Sequence, residues 1–140
     1  MLAHPKLPSG GGNYELRIME NREKIAWLIV RIGVAFCFLY AGIAGFINPD
    51  AWVGWFPKFM RDIVPEMLLL QIWGVYEIVT GLWILSGKKI FIPSLLASLS
   101  LAGLIVFNFG TMDVIFRDVT ILTATIALSV LNFPSKEIRP

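Results

Sequence analysis

Four long apolar stretches dominate the chain, at residues 25–47, 67–86, 90–110 and about 112–133, separated by a longer connection at 48–66 and by two short breaks. Each is about 20 residues or slightly longer, enough at 1.5 Å per residue to cross a hydrocarbon layer roughly 30 Å thick. Backbone N–H and C=O groups in such a layer have no water to bond. Each stretch must therefore satisfy them internally, which predicts a helix for every one. The pattern predicts an all-α membrane protein: a four-transmembrane-helix bundle. The first stretch is too long for a secretion signal and carries Arg31 within it, so it reads as an uncleaved span.

The flanking segments are of a different kind. Residues 1–24 form an amino-terminal unit, a Pro/Gly-rich flexible tail over 1–13 and a charged approach over 14–24; residues 134–140 form a short carboxyl tail. Between the first two spans, Trp52, Trp55, Phe56, Phe59, Met60 and Ile63 recur close to helical spacing, punctuated by Pro49, Pro57 and Pro65. The segment is expected to form one or two short amphipathic helices in the membrane interface. Trp52, Trp55, Phe56 and Phe59 would then be interfacial anchors at headgroup depth. The alternative is a loop folded over the mouth of the bundle.

Composition agrees with the pattern. The chain of 140 residues is 56% hydrophobic and 16% charged, against about 45–50% and 25% in soluble domains. That balance excludes a soluble enzyme, a disordered tail and a disulfide scaffold, and makes the lipid bilayer the first partner. A net charge of +2 gives no field for nucleic acid. The single histidine, His4, and single cysteine, Cys37, supply no metal-ligand set and no internal disulfide. No covalently bound or metal-ligated cofactor is expected. Lysines and arginines concentrate before the first span, at Lys88–Lys89 and at the carboxyl end. Both termini are therefore expected on the cytoplasmic side.

The informative residues are charges inside the spans. Arg31 lies about two turns into the first, Glu77 at the middle of the second, and Arg117 and Asp118 near the start of the fourth. A fourth span beginning after Asp118 would be about 22 Å long, too short to cross, so these two belong inside it. Each such charge costs at least about 2.5–3.5 kcal/mol at a span's centre, which favours inward-facing, mutually compensating groups. With antiparallel neighbours, Arg31 and Glu77 differ in depth by about 5 Å, a gap a long arginine can bridge. Gly74, Glu77 and Gly81 lie within about 60° of one another on one helix face. Gly42 and Gly45 share a stripe with Arg31, and small residues there permit close helix packing. Simpler readings stand beside these: Arg31 snorkelling to the headgroups, Asp113–Arg117 as a local pair, and Ser94 and Ser98 bonded to their own helix.

Gly74-Val-Tyr-Glu77-Ile-Val-Thr-Gly81, the Gly87 before a basic turn, Phe116-Arg117-Asp118, and an early Arg31 with a late Ala41-Gly42 resemble the DoxX superfamily of small four-helix membrane proteins, which includes DoxD- and MauE-like members. The resemblance covers about residues 25–133. It implies a bacterial or archaeal cell membrane and a place beside quinone-linked redox complexes. It also maps the family's polar positions onto Arg31, Glu77, Arg117 and Asp118. The chain departs from the pattern at Gly45, where many relatives carry a basic residue, and it has no Cys-x-x-Cys.

Three functions follow as expectations. The first is a redox-associated membrane subunit whose Arg31/Glu77/Arg117/Asp118 cluster contacts a quinone or relays its protons, with electrons supplied by a partner's cofactor. The second is a structural or assembly subunit of a larger membrane complex, without catalytic role, its charges fixing register and docking. The third is a small-solute carrier, for which broken helices would argue; only Pro93 interrupts a span, near its start. Other complex subunits, or further copies of the chain, are the expected protein partners.

Overall fold

The computed structural model describes residues 11–135, and most of them are helical. α1 runs Gly11–Ile47, 37 residues or about 55 Å. The short α2 (Pro49–Trp52) and α3 (Lys58–Ile63) follow, joined by a 3-10 turn. Then come α4 (Glu66–Ser86), α5 (Phe91–Phe107) and α6 (Met112–Leu131). The helical start at Gly11 corrects the expected division of the amino-terminal unit. Gly11–Asn13, expected in a flexible tail, belong to the same helix as the charged approach. Once the helix is nucleated by the residues that follow, extending it by a turn is inexpensive. Lys24 Nζ donates to Glu20 Oε1 one turn back at 2.7 Å along this stretch. Residues 1–10 of the expected tail and 136–140 of the carboxyl tail lie outside the described residues.

Gly12–Ile47, Glu66–Ser86 and Phe109–Leu131 are long and apolar enough to cross a membrane. α5 is equally apolar, but its 17 residues give about 25 Å. The third stretch, expected to stay helical through residue 110, ends at Phe107. There Asn108 turns its Nδ2 back onto the Leu104 carbonyl at 2.9 Å, and Thr111 Oγ1 donates to the Asn108 carbonyl at 2.8 Å. Pro93 sits in the first turn of α5, where a missing N–H removes no helical bond. α4 ends on Gly87, whose φ of 78° closes the helix in a left-handed conformation that side chains resist.

α1 packs antiparallel on α4, and α5 on α6; α1–α6 and α4–α5 contacts join the two pairs. The first pair is drawn together by glycine. A Cβ on Gly42 would lie 2.8 Å from the Gly74 carbonyl, and one on Gly81 would lie 3.1 Å from the Ala35 carbonyl. The second pair is tied by hydroxyls. Ser98 Oγ donates to Thr125 Oγ1 at 2.9 Å and Ser129 Oγ to Ser94 Oγ at 3.1 Å, both buried. Ser94 and Ser98 also contact carbonyls of their own preceding turns, so both expected roles of these serines coexist. Val34, Ala35, Phe38, Ile84, Ala97, Leu101 and Leu128 form the apolar core. Outside it, large side chains such as Phe36, Ile72, Leu99 and Val130 are more than half exposed. A surface this apolar matches a lipid bilayer rather than water.

Candidate functional site

Glu77 lies one turn after Gly74 and one before Gly81 on α4. These glycines bring α1 so close that a Cβ on Gly42 would come within 3.2 Å of the Glu77 Cβ. The carboxylate is thereby held beside the α1–α4 contact, half-buried. Trp73, one turn back on the same helix, donates its indole Nε1–H to Glu77 Oε1 at 3.1 Å. Trp73 is itself fixed, edge to face with Phe56 at 5.7 Å and tilted against Tyr76 at 5.2 Å. The Tyr76 hydroxyl lies 3.1 Å from the Leu96 carbonyl and 3.2 Å from Ser100 Oγ, linking this patch of α4 to α5.

Beside Glu77 opens a cavity of about 520 Å³ with walls from α1, α4, α5 and α6. Its lining is mostly aromatic and aliphatic, including Phe36, Tyr40, Trp52, Trp55, Phe56 and Trp73. Its charged lining groups are Glu77, Arg117 and Asp118. A volume in the few-hundred Å³ range, an apolar wall and a few convergent polar groups are the ordinary attributes of a small-molecule site.

The segment between α1 and α4 lies across one end of this cavity. Asn108 Nδ2 donates to the Trp55 carbonyl at 3.0 Å, and the Phe59 ring packs 5.7 Å from that of Phe107. Trp52, Trp55 and Phe56 are half-buried and line the cavity, whereas Phe59 is 55% exposed. Three of the four expected interfacial anchors thus contribute to the cavity wall. The Asn108 bond and the Phe56–Trp73 and Phe59–Phe107 ring contacts hold the segment there.

The expected four-charge cluster is not assembled. Arg31 reaches the end of α4: a Cβ on Gly87 would lie 2.7 Å from Arg31 Nη1. Gly87 is ten residues beyond Glu77, about 15 Å along the axis. The expected depth match assumed that residue 25 and Ser86 lie level. The Gly42–Gly74 and Ala35–Gly81 contacts instead set Arg31 near the last turn of α4. Its guanidinium stacks over Trp27, 4.5 Å from the ring centroid, close to the negative end of the α4 dipole. Arg31 Nε is buried, with no hydrogen-bond partner among the described residues. Arg117 is exposed and Asp118 half-buried. Among the described residues, no ion pair within 4 Å joins any of Arg31, Glu77, Asp113, Arg117 and Asp118. The expected Arg31–Glu77 and Asp113–Arg117 pairings are therefore not made.

Of the four glycines expected to serve packing, Gly42, Gly74 and Gly81 lie at the α1–α4 contact. Gly45 differs: a Cβ there would meet only Leu70 Cδ2 at 4.0 Å, and the residue lines the cavity. Trp73 as the partner of Glu77, and Trp27 as that of Arg31, escaped sequence reasoning. Both stand four residues before the charge they meet, a spacing that places side chains on one helical face.

No family model, no curated protein and no solved structure matches the chain.

Proposed function

We propose that the protein is a DoxX-like, four-span subunit of a quinone-linked membrane complex, and that the cavity beside Glu77 receives the quinone headgroup. The observation that carries this reading is the combination in one cavity of about 520 Å³ of a tryptophan-held carboxylate with an aromatic wall. A substituted benzoquinone ring fits such a volume and stacks on such walls. In this reading α5 crosses the membrane together with its flanking turns, both termini are cytoplasmic, and the Trp52–Ile63 segment covers the outer end of a four-helix bundle.

A bound quinone would supply two-electron, two-proton redox chemistry, with the electrons exchanged through a partner subunit's cofactor. The protein's own residues have narrower tasks. Trp55 and Phe56 confine the ring, Trp73 keeps the Glu77 carboxylate in place, and Glu77 takes up or yields a proton at the ring oxygen. The segment tethered by Asn108 limits entry of water from the outer end.

The test uses the full chain in lipid nanodiscs. Decylubiquinone should quench the tryptophan fluorescence saturably, because Trp52, Trp55 and Trp73 line the cavity. Gly45→Leu, whose side chain has room to enter the cavity, should abolish the saturable component. Quenching that stays linear in the wild type overturns the reading. Mass spectrometry of material extracted in mild detergent should find redox subunits alongside the chain.

One observation favours the assembly role as a second reading. Arg117 is exposed on α6 with no acidic partner within 4 Å among the described residues. An arginine left so within a span suits a docking contact with another subunit's helix. Under this reading Glu77→Gln leaves turnover of the complex proportional to the amount of subunit incorporated.

A further inference from the structure

The hydrogen-bonding character of the cavity wall bears on which ligand it takes. A carboxylate is an acceptor only, with two oxygens to satisfy. Glu77 Oε1 receives the Trp73 indole N–H at 3.1 Å. Among the described residues, no hydrogen bond reaches Oε2 and no cation lies within 4 Å of the carboxylate. Glu77 lines the cavity, and neither of its oxygens is among the buried unpartnered atoms. The free acceptor is therefore accessible from the cavity. Asp118 brings a second carboxylate to the lining from α6. Ser100, also in the lining, already donates to the Ala97 carbonyl at 3.0 Å. The donors in the lining besides the Trp73 indole already on Glu77 are Arg117, the Tyr40 hydroxyl, and the Trp52 and Trp55 indoles; Arg117 and Tyr40 are on exposed residues and the two indoles belong to the covering segment, and none of them bonds Glu77.

A half-buried acceptor facing an aromatic chamber matches a ring that carries donors. The ionised Glu77 cannot donate to a quinone carbonyl, itself an acceptor, whereas a phenolic O–H donates to it in a charge-assisted bond; it is this ionised form that discriminates between the two. The chamber also has exits suited to a lipid tail. Phe36, Tyr40 and Leu99 line it, yet each is more than 60% exposed on the outer faces of α1 and α5. Phe36 and Tyr40 stack at 6.2 Å along α1, forming an apolar rim.

We propose that the cavity selects the hydroxyl-bearing, reduced form of a lipid-soluble aromatic: a hydroquinone whose O–H donates to Glu77 and whose tail leaves between the helices into the bilayer. This rests on the quinone-site reading above and adds the redox form that is preferred. It is a statement about binding, and no electron transfer within this chain is required.

The experiment is isothermal titration of the full chain in nanodiscs, under anaerobic conditions, with decylubiquinol and separately with decylubiquinone. The hydroquinone should bind at least about ten-fold more tightly, the factor separating a charge-assisted bond from an unmet acceptor. In Glu77→Gln the two affinities should converge, because a carboxamide offers both a donor and an acceptor. If Glu77→Gln loses its native melting profile, Trp73→Phe serves instead. It keeps an aromatic ring, removes the N–H that steadies the carboxylate, and should lower the preference. Equal affinities in the wild type, or a tighter quinone, overturn this inference and leave the quinone site standing. Binding of neither form overturns both. A preference unchanged in a folded Glu77→Gln removes Glu77 as its source.

Discussion

Replacing Gly42 by alanine tests how the α1–α4 contact sets the architecture, because the added methyl group has almost nowhere to go. Its Cβ would sit 2.8 Å from the Gly74 carbonyl oxygen and 2.8 Å from Ile78 Cγ1. Comfortable carbon contacts begin at roughly 3.5 Å, so α1 and α4 must separate by several tenths of an ångström. Overpacking of this kind costs about 1–3 kcal/mol. Alanine also returns up to about 1 kcal/mol of intrinsic helix propensity. Gly33→Ala isolates that second effect: it lies in the same helix, exposed, with nothing within 4 Å of a Cβ. The two variants should therefore differ by about 1–3 kcal/mol, Gly42→Ala being the less stable. Reversible unfolding of the nanodisc- or micelle-bound protein, followed by circular dichroism, reads the difference. A Gly42→Ala protein as stable as Gly33→Ala refutes the claim that these glycines hold the two helices at their observed separation. The same methyl would crowd the Glu77 Cβ, 3.2 Å away, so the ligand affinity of Gly42→Ala should fall along with its stability.

Gly87→Ala should destabilise the α4–α5 turn, because a φ of 78° is unfavourable for alanine by about 1–2 kcal/mol. The new Cβ would also meet Arg31 Nη1 at 2.7 Å, a flexible side-chain end that can move aside at little cost; a melting temperature equal to wild type would count against the backbone argument. Asn108→Ala should free the Trp55 carbonyl and loosen residues 48–65 while leaving the helices in place. Hydrogen exchange should accelerate in that segment alone, and exchange unchanged there would show that Asn108 is not its tether.

How much of this was legible beforehand depends on the range of the interaction. The helical state of each stretch followed from local composition, since about 20 apolar residues in lipid leave the backbone no alternative. The presence of Glu77 at mid-helix, and of Arg117 and Asp118 inside the fourth stretch rather than before it, followed from lengths alone. The small-residue face of α4 could be read from spacing. Contacts within one helix were readable in principle, as with Trp73 and Glu77, but several partners share each face and spacing alone does not choose among them.

What only the tertiary structure decided is which charges meet. A pair of helices can slide by a turn without changing which residues face inward. Their register is fixed by a few close contacts, here Gly42 on Gly74 and Gly81 on Ala35, that no local pattern announces. That register carried Arg31 to the end of α4 and left Glu77 beside a cavity. The place of the Trp52–Phe59 segment depends in the same way on long-range contacts, the Asn108 bond to the Trp55 carbonyl and the packing of Phe56 on Trp73 and Phe59 on Phe107. Sequence determined the rods and the charges they bear, because backbone satisfaction and hydrophobicity act residue by residue. The cavity exists only because side chains distant along the chain meet at a particular offset.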